Sequence, residues 1–584
     1  MVTTQSQQTV DQIIPPSLQS AFYSPAGVLL VASVSGLILA RALQGRGRSS
    51  KLARAKWAGA AAKAAARKVA LRQIQERKHN RVALFIGTPK RSRIEITRNQ
   101  RILHLPEDPS RLYLPDAQRG ILVCGGPGSG KTFSMISPCI RSAINQGFPI
   151  VLYDYKYAHQ ESATAAPKGM AAKLAGYAIE QGYKVTLLAP GFPESSIANP
   201  LDFIRSETDA EMARQLAIVL NRNFQLTAGG DDGFFANAGD QLVQAILMFV
   251  KGSPYQDVLM CQAILELPDL IRRLQQADLN PWVRAAFAQF MSTAGSPETA
   301  SSIAATASGV FSRFMVPSSL AAFCGKTNIP LDLKGRQMVI FGMDRERRDA
   351  IGPLLISILH LLVSRNVAGK RTDPLVLGLD ELPTTYLPAL VDWLNQNRED
   401  GLVSILGFQN LSQLEDAYGE KVTNAIFAGC ATKAFFNPQD DVAAEKFSNF
   451  LGREEIKYNQ RSRSRGGKSG ASVTNAEQIS ARDMYEVNQF NSLREGEAII
   501  VGPGFRDKKS IGLPILEKIE IPSYDQDAEK RSVRIWYKKQ QEMAARFILK
   551  EPTKKEMQQR FLEAWRMLPL VDKNEETLKI VFAL

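Results

Sequence analysis

The sequence predicts an α/β fold: a parallel sheet built from alternating strands and helices, interrupted by an all-helical segment and preceded by one membrane-spanning helix. Three observations predict it. Short apolar strands alternate with helices on both sides of residues 206–324, that interval itself shows only helical periodicity, and a run without charge stands near the N-terminus. The chain has 584 residues, 45% hydrophobic and 22% charged, which is ordinary globular usage with room for about three or four domains. Wholesale disorder, collagen-like repeats and a disulfide-stapled miniprotein are thereby excluded. The five cysteines are scattered with no CxxC pair, and the four histidines stand equally far apart, so no zinc spacing is present and a reducing compartment suits the main body.

From Gln12 to Ala40 there is no charged residue, and Ala21 to Ala40 is nearly continuous apolar sequence. A span of about 20 such residues matches a bilayer core. A buried core helix would carry a polar face, whereas this run has only Tyr23, Ser24, Ser33 and Ser35. A cleaved signal peptide would carry its cations first, whereas residues 1–20 hold only Asp11 and the cations begin at Arg41. The expected order is therefore a short extracytoplasmic tail (1–20), a transmembrane helix (21–43) and a basic juxtamembrane stalk (44–101), with the bulk of the chain cytoplasmic. Residues 41–101 hold 18 Lys and Arg against 2 Asp and Glu, while residues 102–584 hold 54 against 55. The overall net charge of +14 is thus a topology signal beside the membrane, and any nucleic-acid contact has to come from local patches.

Within the stalk, residues 50–78 are rich in Ala, Lys and Arg and read as a solvated helix near anionic headgroups, with DNA binding as the other reading. Short β-like stretches follow at Val82–Gly87, Ile94–Thr97 and Ile102–Leu105. Ile121–Cys124, Pro149–Tyr153 and Lys184–Leu188 are then strands, the first leading through a glycine cluster into a helix. Residues 206–324 form the helical insertion, and strands resume at Gln337–Phe341, Leu375–Leu379, Val403–Gly407, Thr432–Phe436 and Ala498–Val501. One sheet domain (102–205 and 325–525) is accordingly split by one helical domain, with a helical tail at 526–584. Gln460–Ser472 carries Arg461, Arg463, Arg465 and Lys468 with no acid among them and reads as a mobile loop, either solvated or in contact with phosphates.

The glycine cluster is Gly125-Gly126-Pro127-Gly128-Ser129-Gly130-Lys131-Thr132, which fits GxxxxGK[ST] between a strand and a helix. Glycine lets backbone N–H groups turn inward around phosphate oxygens, Lys131 reaches the terminal phosphates, and Thr132 takes Mg²⁺. Hydrolysis also needs a carboxylate-bearing strand beside this loop. Leu375–Leu379 ends in Asp380 and Glu381, the first placed to hold the metal and the second to polarise an attacking water. ATP with Mg²⁺ is the expected cofactor, and a P-loop ATPase the expected activity.

These residues resemble a family, the coupling proteins of type IV secretion and plasmid conjugation. The resemblance runs from about Gly120 to Gly504 through GGPGSGKT with Pro138 after it, Asp154 to Lys156, Asn199-Pro200-Leu201-Asp202, and Leu379-Asp380-Glu381-Leu382-Pro383. It continues through Arg398, Gly401, Gln409 and Gln413. The resemblance implies a RecA-like ATPase, hexameric around a central channel at the inner membrane. Its implied partners are single-stranded DNA, relaxase or effector proteins, and components of a type IV secretion channel. It also implies that Gln409 senses the γ-phosphate and that Arg398 serves a neighbouring subunit's nucleotide. As residues alone, Gln409 also suits a strand-end amide, and Arg398 a surface cation beside Glu399 and Asp400. Two departures stand out: one membrane anchor where members often carry two, and Asp154-Tyr155-Lys156-Tyr157 in place of the usual Asp-Pro-Lys-Gly. A DNA pump of the FtsK type shares the motor plan, but its additional spans and C-terminal winged-helix module are not visible here. A membrane receptor that uses ATP binding as a docking switch is a third reading, in which Glu381 has no catalytic task.

Overall fold

In the computed structural model, the described residues are 55–87, 111–157, 169–228, 233–465, 471–507, 510–546 and 549–570. The segment 21–43, expected to cross a membrane, and the strand candidates Ile94–Thr97 and Ile102–Leu105 lie outside them. The larger of two compact units comprises residues 56–451 and 484–584. It opens with α1 (Ala60–Glu76), whose Ala62, Ala66 and Ala70 are buried, and with β1 (Leu84–Ile86), which pairs antiparallel with β2 (Leu112–Leu114). Small alanine side chains let α1 lie close to its neighbours: a Cβ on Gly504 would sit 3.2 Å from that of Ala66. The described part of the basic stalk is therefore packed structure continuous with the sheet domain.

The central sheet has nine strands in the order β13-β12-β9-β3-β8-β7-β4-β6-β5. Its strands are β3 (Ile121–Cys124), β4 (Ile150–Asp154), β5 (Lys184–Leu188), β6 (Gln337–Gly342), β7 (Leu375–Leu379), β8 (Leu402–Phe408), β9 (Thr432–Phe435), β12 (Glu497–Val501) and β13 (Ile515–Lys518). All from β9 through β5 run parallel, and β12 and β13 close one edge antiparallel. Interior parallel strands are covered on both faces, which is why ILVC, LVLGL and LVSILGF read as unbroken apolar runs. The sequence reading places the carboxylate strand beside the glycine loop, and Thr132 of that loop does meet Asp380 at 2.8 Å, although their strands are not neighbours. Instead β8 lies between β3 and β7, so residues at the end of β8 fall between the loop and the carboxylates.

Helix α2 (Ser137–Asn145) follows the glycine loop, and its first turn, Thr132–Ile136, is wound as a π-helix with the Ser137 N–H on the Thr132 carbonyl. Pro138 accounts for this, since it has no N–H for an ordinary i to i−4 bond to Ser134 and its ring crowds that carbonyl. The turn lies tight against β8: a Cβ on Gly407 would stand 2.6 Å from Ile136 Cδ1 and 2.5 Å from the Asp380 carbonyl oxygen. Helix α3 (Met170–Glu180) crosses from β4 to β5.

The insertion between β5 and β6 is all-helical among its described residues. It comprises α4 (Ala210–Ala228), α5 (Gly233–Lys251), α6 (Val258–Leu265), α7 (Leu270–Gln276), α8 (Pro281–Ser292), α9 (Pro297–Ser312) and α10 (Pro317–Leu320). The segment Asn199–Asp202 ties its two connections together. The Asn199 side chain donates to Gln256 O and caps its own turn by accepting from Leu201 N–H, while Asp202 accepts from Thr327 N–H at 3.1 Å. Thus the motif that marks the start of the insertion also binds the irregular segment leading out of it toward β6.

After β6 comes α11 (Arg348–Val367), long and apolar enough to cross a membrane but with its apolar window 83% buried inside the fold. Next are α12 (Leu390–Asn395), α13 (Leu411–Tyr418), α14 (Glu420–Gly429) and α15 (Asp441–Leu451). The second unit is, among its described residues, Ala55 with a hairpin of β10 (Arg453–Arg465) and β11 (Ala471–Asp483) in antiparallel register. A segment read as a mobile loop from its Gly, Ser and Arg content is therefore largely strand. The backbone pairing continues from Arg453↔Asp483 to Arg465↔Ala471 despite the Gly, Ser and Arg content of the segment.

Helix α16 (Val487–Asn491) precedes β12, and α17 (Ser523–Arg546) and α18 (Lys554–Met567) are the last helices among the described residues. Helix α17 lies on α3, where Gly176 allows the Ser532 backbone to approach and the Ser532 hydroxyl donates to the Ala172 carbonyl at 2.9 Å. Helix α18 instead lies on the helical insertion, through Arg560 on Asp257 at 2.8 Å and Arg273 over the Trp565 ring at 3.9 Å.

His360 on α11 is buried against Trp393, with ring centroids 5.3 Å apart, and burial pushes its imidazole from the ordinary 6.5 down to about 4. Between those values the unfolded chain binds the extra proton, so stability falls as pH drops through that window. The expected loss is about 2 kcal/mol between about pH 7 and about pH 5. In chemical melts at the two pH values, His360→Phe should show a smaller loss than the wild type; equal losses would remove His360 from the account.

Candidate functional site

Four residues outside the glycine loop hold it in place. Gly125 N–H donates to Phe408 O at 3.3 Å, Gly126 N–H to Asn437 O at 2.8 Å, and the Gln439 side chain to Pro127 O at 2.9 Å. From the other flank, Gly496 N–H donates to Ser129 O at 3.1 Å. Two positions require glycine outright: Gly128 and Gly130 have φ of +73° and +90°, where other residues are strained. At Gly130 a Cβ would also stand 2.9 Å from the Gly496 nitrogen. Within the loop the Ser129 hydroxyl is buried and has no hydrogen-bond partner among the described residues, as befits a cradle built for an oxygen-rich ligand. Asn437, Gln439 and Gly496 carry no motif of their own, so sequence reasoning missed them; in the structure Gln439 is one of the non-glycine residues at positive φ, +54°.

Lys131 is 6% exposed. Burial lowers its pKa, and Asp380 and then Glu381 work against that loss. The Thr132 hydroxyl donates to Asp380 Oδ1 at 2.8 Å, so the loop threonine and the first carboxylate already share one oxygen-lined corner. Burial raises the Glu381 pKa, offset chiefly by Lys131 and then by Gln409, whose amide nitrogen donates to Glu381 Oε2. These contacts bring together Lys131, Thr132, Asp380, Glu381 and Gln409. Lys, Thr and carboxylate oxygens in this order fit a nucleoside polyphosphate and a hard divalent cation, which prefers oxygen donors.

Asp154 and Lys156 part company. Asp154 is buried at the end of β4, where it accepts from Ala171 N–H at 2.7 Å and Lys156 N–H at 3.0 Å. Burial raises its carboxyl to about 6 against the pull of those two donors, and its contacts are those of a group anchoring the start of α3. Lys156 instead lines a cavity of about 950 Å³ with Glu381, Gln409, Arg222, Arg345 and Arg348. The guanidinium groups of Arg345 and Arg348 stand 5.2 and 5.9 Å from the Tyr155 ring centroid. Arg398 is elsewhere. It precedes β8 at the end opposite Gln409, about 20 Å away along a seven-residue strand, so it does not reach its own chain's carboxylates. Its Nε is buried and without a hydrogen-bond partner among the described residues.

Residues 112–514 match the family described as the type IV secretion-system coupling protein DNA-binding domain. Over 403 residues the chain is 25% identical to the conjugal transfer protein TraG of Rhizobium radiobacter, covering 66% of this chain and 60% of that protein. A 77-residue stretch is 40% identical to the coupling protein TraD of Escherichia coli (strain K12), covering 13% of this chain and 11% of that one. The chain therefore spans less than two thirds of the length of these relatives. Among solved structures, the unbound monoclinic form of the bacterial conjugative coupling protein TrwBΔN70 matches with a TM-score of 0.53 at 20% identity, over 70% of this chain and 87% of that one. The plasmid coupling protein TrwB in complex with the non-hydrolysable ATP analogue ADPNP matches at 0.52 and 18% identity, over 70% and 87%. The shared fold is RecA-like α/β with a helical domain.

Binding of a fluorescent ATP analogue tests how the loop is held. Gln439→Ala should weaken it about fivefold, the equivalent of one lost hydrogen bond, and Gly130→Ala should abolish it. Unchanged affinity in both would show that the loop's neighbours do not shape it.

Proposed function

The chain belongs to the type IV secretion-system coupling proteins, and on that premise we propose that it is a membrane-anchored ATPase that drives cargo into a secretion channel. The observation that carries this reading is the single cluster of Lys131, Thr132, Asp380, Glu381 and Gln409, in which a buried carboxylate is held by a lysine and an amide. Bound ATP with Mg²⁺ supplies the phosphoanhydride to be cleaved. The loop from Gly125 to Gly130 would cradle the phosphates through backbone N–H groups, and Thr132 and Asp380 would hold the metal. Lys131 would neutralise charge on the terminal phosphates. Glu381, with its pKa raised by burial, is suited to orient a water and take its proton, and Gln409 fixes the carboxylate that does so.

In this reading the segment 21–43, uncharged up to Ala40, anchors the chain in the inner membrane and copies assemble as a hexamer. Arg398, too far from its own site to serve it, would then complete a neighbour's. The cargo is single-stranded DNA, carried with its relaxase, or effector proteins. The description of the matched family as DNA-binding and the arginines facing the cavity favour DNA.

The full-length chain in detergent should hydrolyse ATP, faster with single-stranded DNA. Lys131→Ala should remove nucleotide binding, whereas Glu381→Gln should keep binding and lose turnover by about a hundredfold or more. Cargo binding with negligible wild-type turnover would overturn the motor in favour of a docking receptor. Mixing Arg398→Ala with Glu381→Gln subunits should restore part of the activity, because some interfaces then combine an intact carboxylate with an intact arginine. Absence of rescue would remove Arg398 from the site.

A further inference from the structure

Asn223 lies on α4 of the helical insertion and is 4% exposed. Its amide reads both backbone groups of one residue in the sheet domain: Nδ2 donates to the Tyr386 carbonyl at 2.9 Å, and Oδ1 accepts from the Tyr386 N–H at 2.8 Å. Nδ2 also donates to Val219 O at 2.8 Å, which fixes the side chain to its own helix. Asparagine suits this position because it offers a donor and an acceptor side by side.

Tyr386 is five residues beyond Glu381, and the intervening turn is closed on itself. The Thr384 hydroxyl donates to Glu381 O at 2.7 Å, and Thr385 N–H to Leu382 O at 3.0 Å. The Tyr386 ring stacks on Tyr418 at 5.2 Å, and the next residue, Leu387, donates its N–H to the Tyr418 hydroxyl at 3.2 Å. A short turn so braced moves as one piece, so a displacement of α4 is delivered to the carboxylate end of β7. Beside Asn223 on the same helix, Arg222 and Gln225 line the cavity that Glu381 also lines. Arg222 further borders a second cavity of about 690 Å³ that Arg214 and Gln244 share.

We infer that Asn223 is a positioning residue through which the helical insertion sets the placement of Glu381, so that occupation of the insertion and turnover at the nucleotide site are coupled. The inference rests on the reading of Glu381 as the hydrolytic base. Its physical content is a pair of hydrogen bonds joining a helix that faces two polar cavities to the turn that carries the base.

The test uses the full-length chain with Asn223→Ala and Asn223→Asp. Asn223→Ala should lower kcat about tenfold, the equivalent of one or two hydrogen bonds, with nucleotide Kd within about twofold of wild type. Asn223→Asp, which keeps the acceptor for Tyr386 N–H, should fall between. Added to Glu381→Gln, Asn223→Ala should cost little more, because it acts through that carboxylate. Hydrogen exchange supplies a readout that does not need turnover. ATP analogue binding should slow exchange at 382–390 and at 216–225 in the wild type, and only at 382–390 in Asn223→Ala. The inference is overturned if 216–225 does not respond to nucleotide in the wild type, or if kcat and nucleotide affinity fall in parallel with Tm in both variants. A wild type that responds at 216–225 but does not turn over would sustain the coupling while removing hydrolysis.

Discussion

Lys131 is a nearly buried ammonium at the C-terminal edge of a parallel sheet, and an ammonium so placed is stable only with carboxylates close by. Asp380 and Glu381 supply them from just past the end of β7, and Gln409, just past the end of β8, in turn braces Glu381. The close approach this needs is made possible by what is missing. Gly407 has no side chain to keep the turn after the glycine loop away from β8 and Asp380, and Pro138 forces that turn to widen into a π-helix. The loop's flanks then have to be held by residues from distant parts of the chain, Asn437, Gln439 and Gly496.

The helical insertion is more than an appendage on that core. Asn199 and Asp202 stitch its two connections, Asn223 grips the turn after Glu381, and the C-terminal helices run from α3 onto the insertion through Arg560 and Asp257. A domain attached only by two linkers would move freely against the sheet, and these contacts limit which motions it has. Arg273 is fully buried and ties the insertion to the end of α18, its Nη1 donating to Leu568 O and its Nε to Pro268 O at 2.7 Å. The positive charge of the chain plays no part in this, because its excess is confined to residues 41–101. What faces the cavity beside Glu381 is a local set, Lys156, Arg222, Arg345 and Arg348, contributed by β4, the insertion and the start of α11.

Much of this was legible in the residues alone. Eight of the predicted strands match observed ones within a residue or two at either end, since buried parallel strands are short unbroken apolar runs bounded by polar loops. Lys131, Thr132, Asp380 and Glu381 were identifiable because their spacing is dictated by local geometry, a loop between strand and helix and a strand end. The order of strands was not: that β8 lies between β3 and β7 and pairs with both is set by contacts distant in sequence. Within Gln460–Ser472, which its Gly, Ser and Arg content marks as loop, residues 460–465 and 471–472 are strand, because cross-strand pairing is not encoded in local composition.

By itself the sequence determined the α/β class, the interrupted domain, the glycine loop and the confinement of charge to one segment, all properties carried by neighbouring residues. Only the tertiary structure decided that Asp154 anchors a helix while Lys156 faces the cavity, that Arg398 is remote from its own carboxylates, and that Asn223 meets Tyr386. Each of these joins positions far apart in the chain, and no local periodicity or spacing encodes which distant backbone group a buried side chain will satisfy.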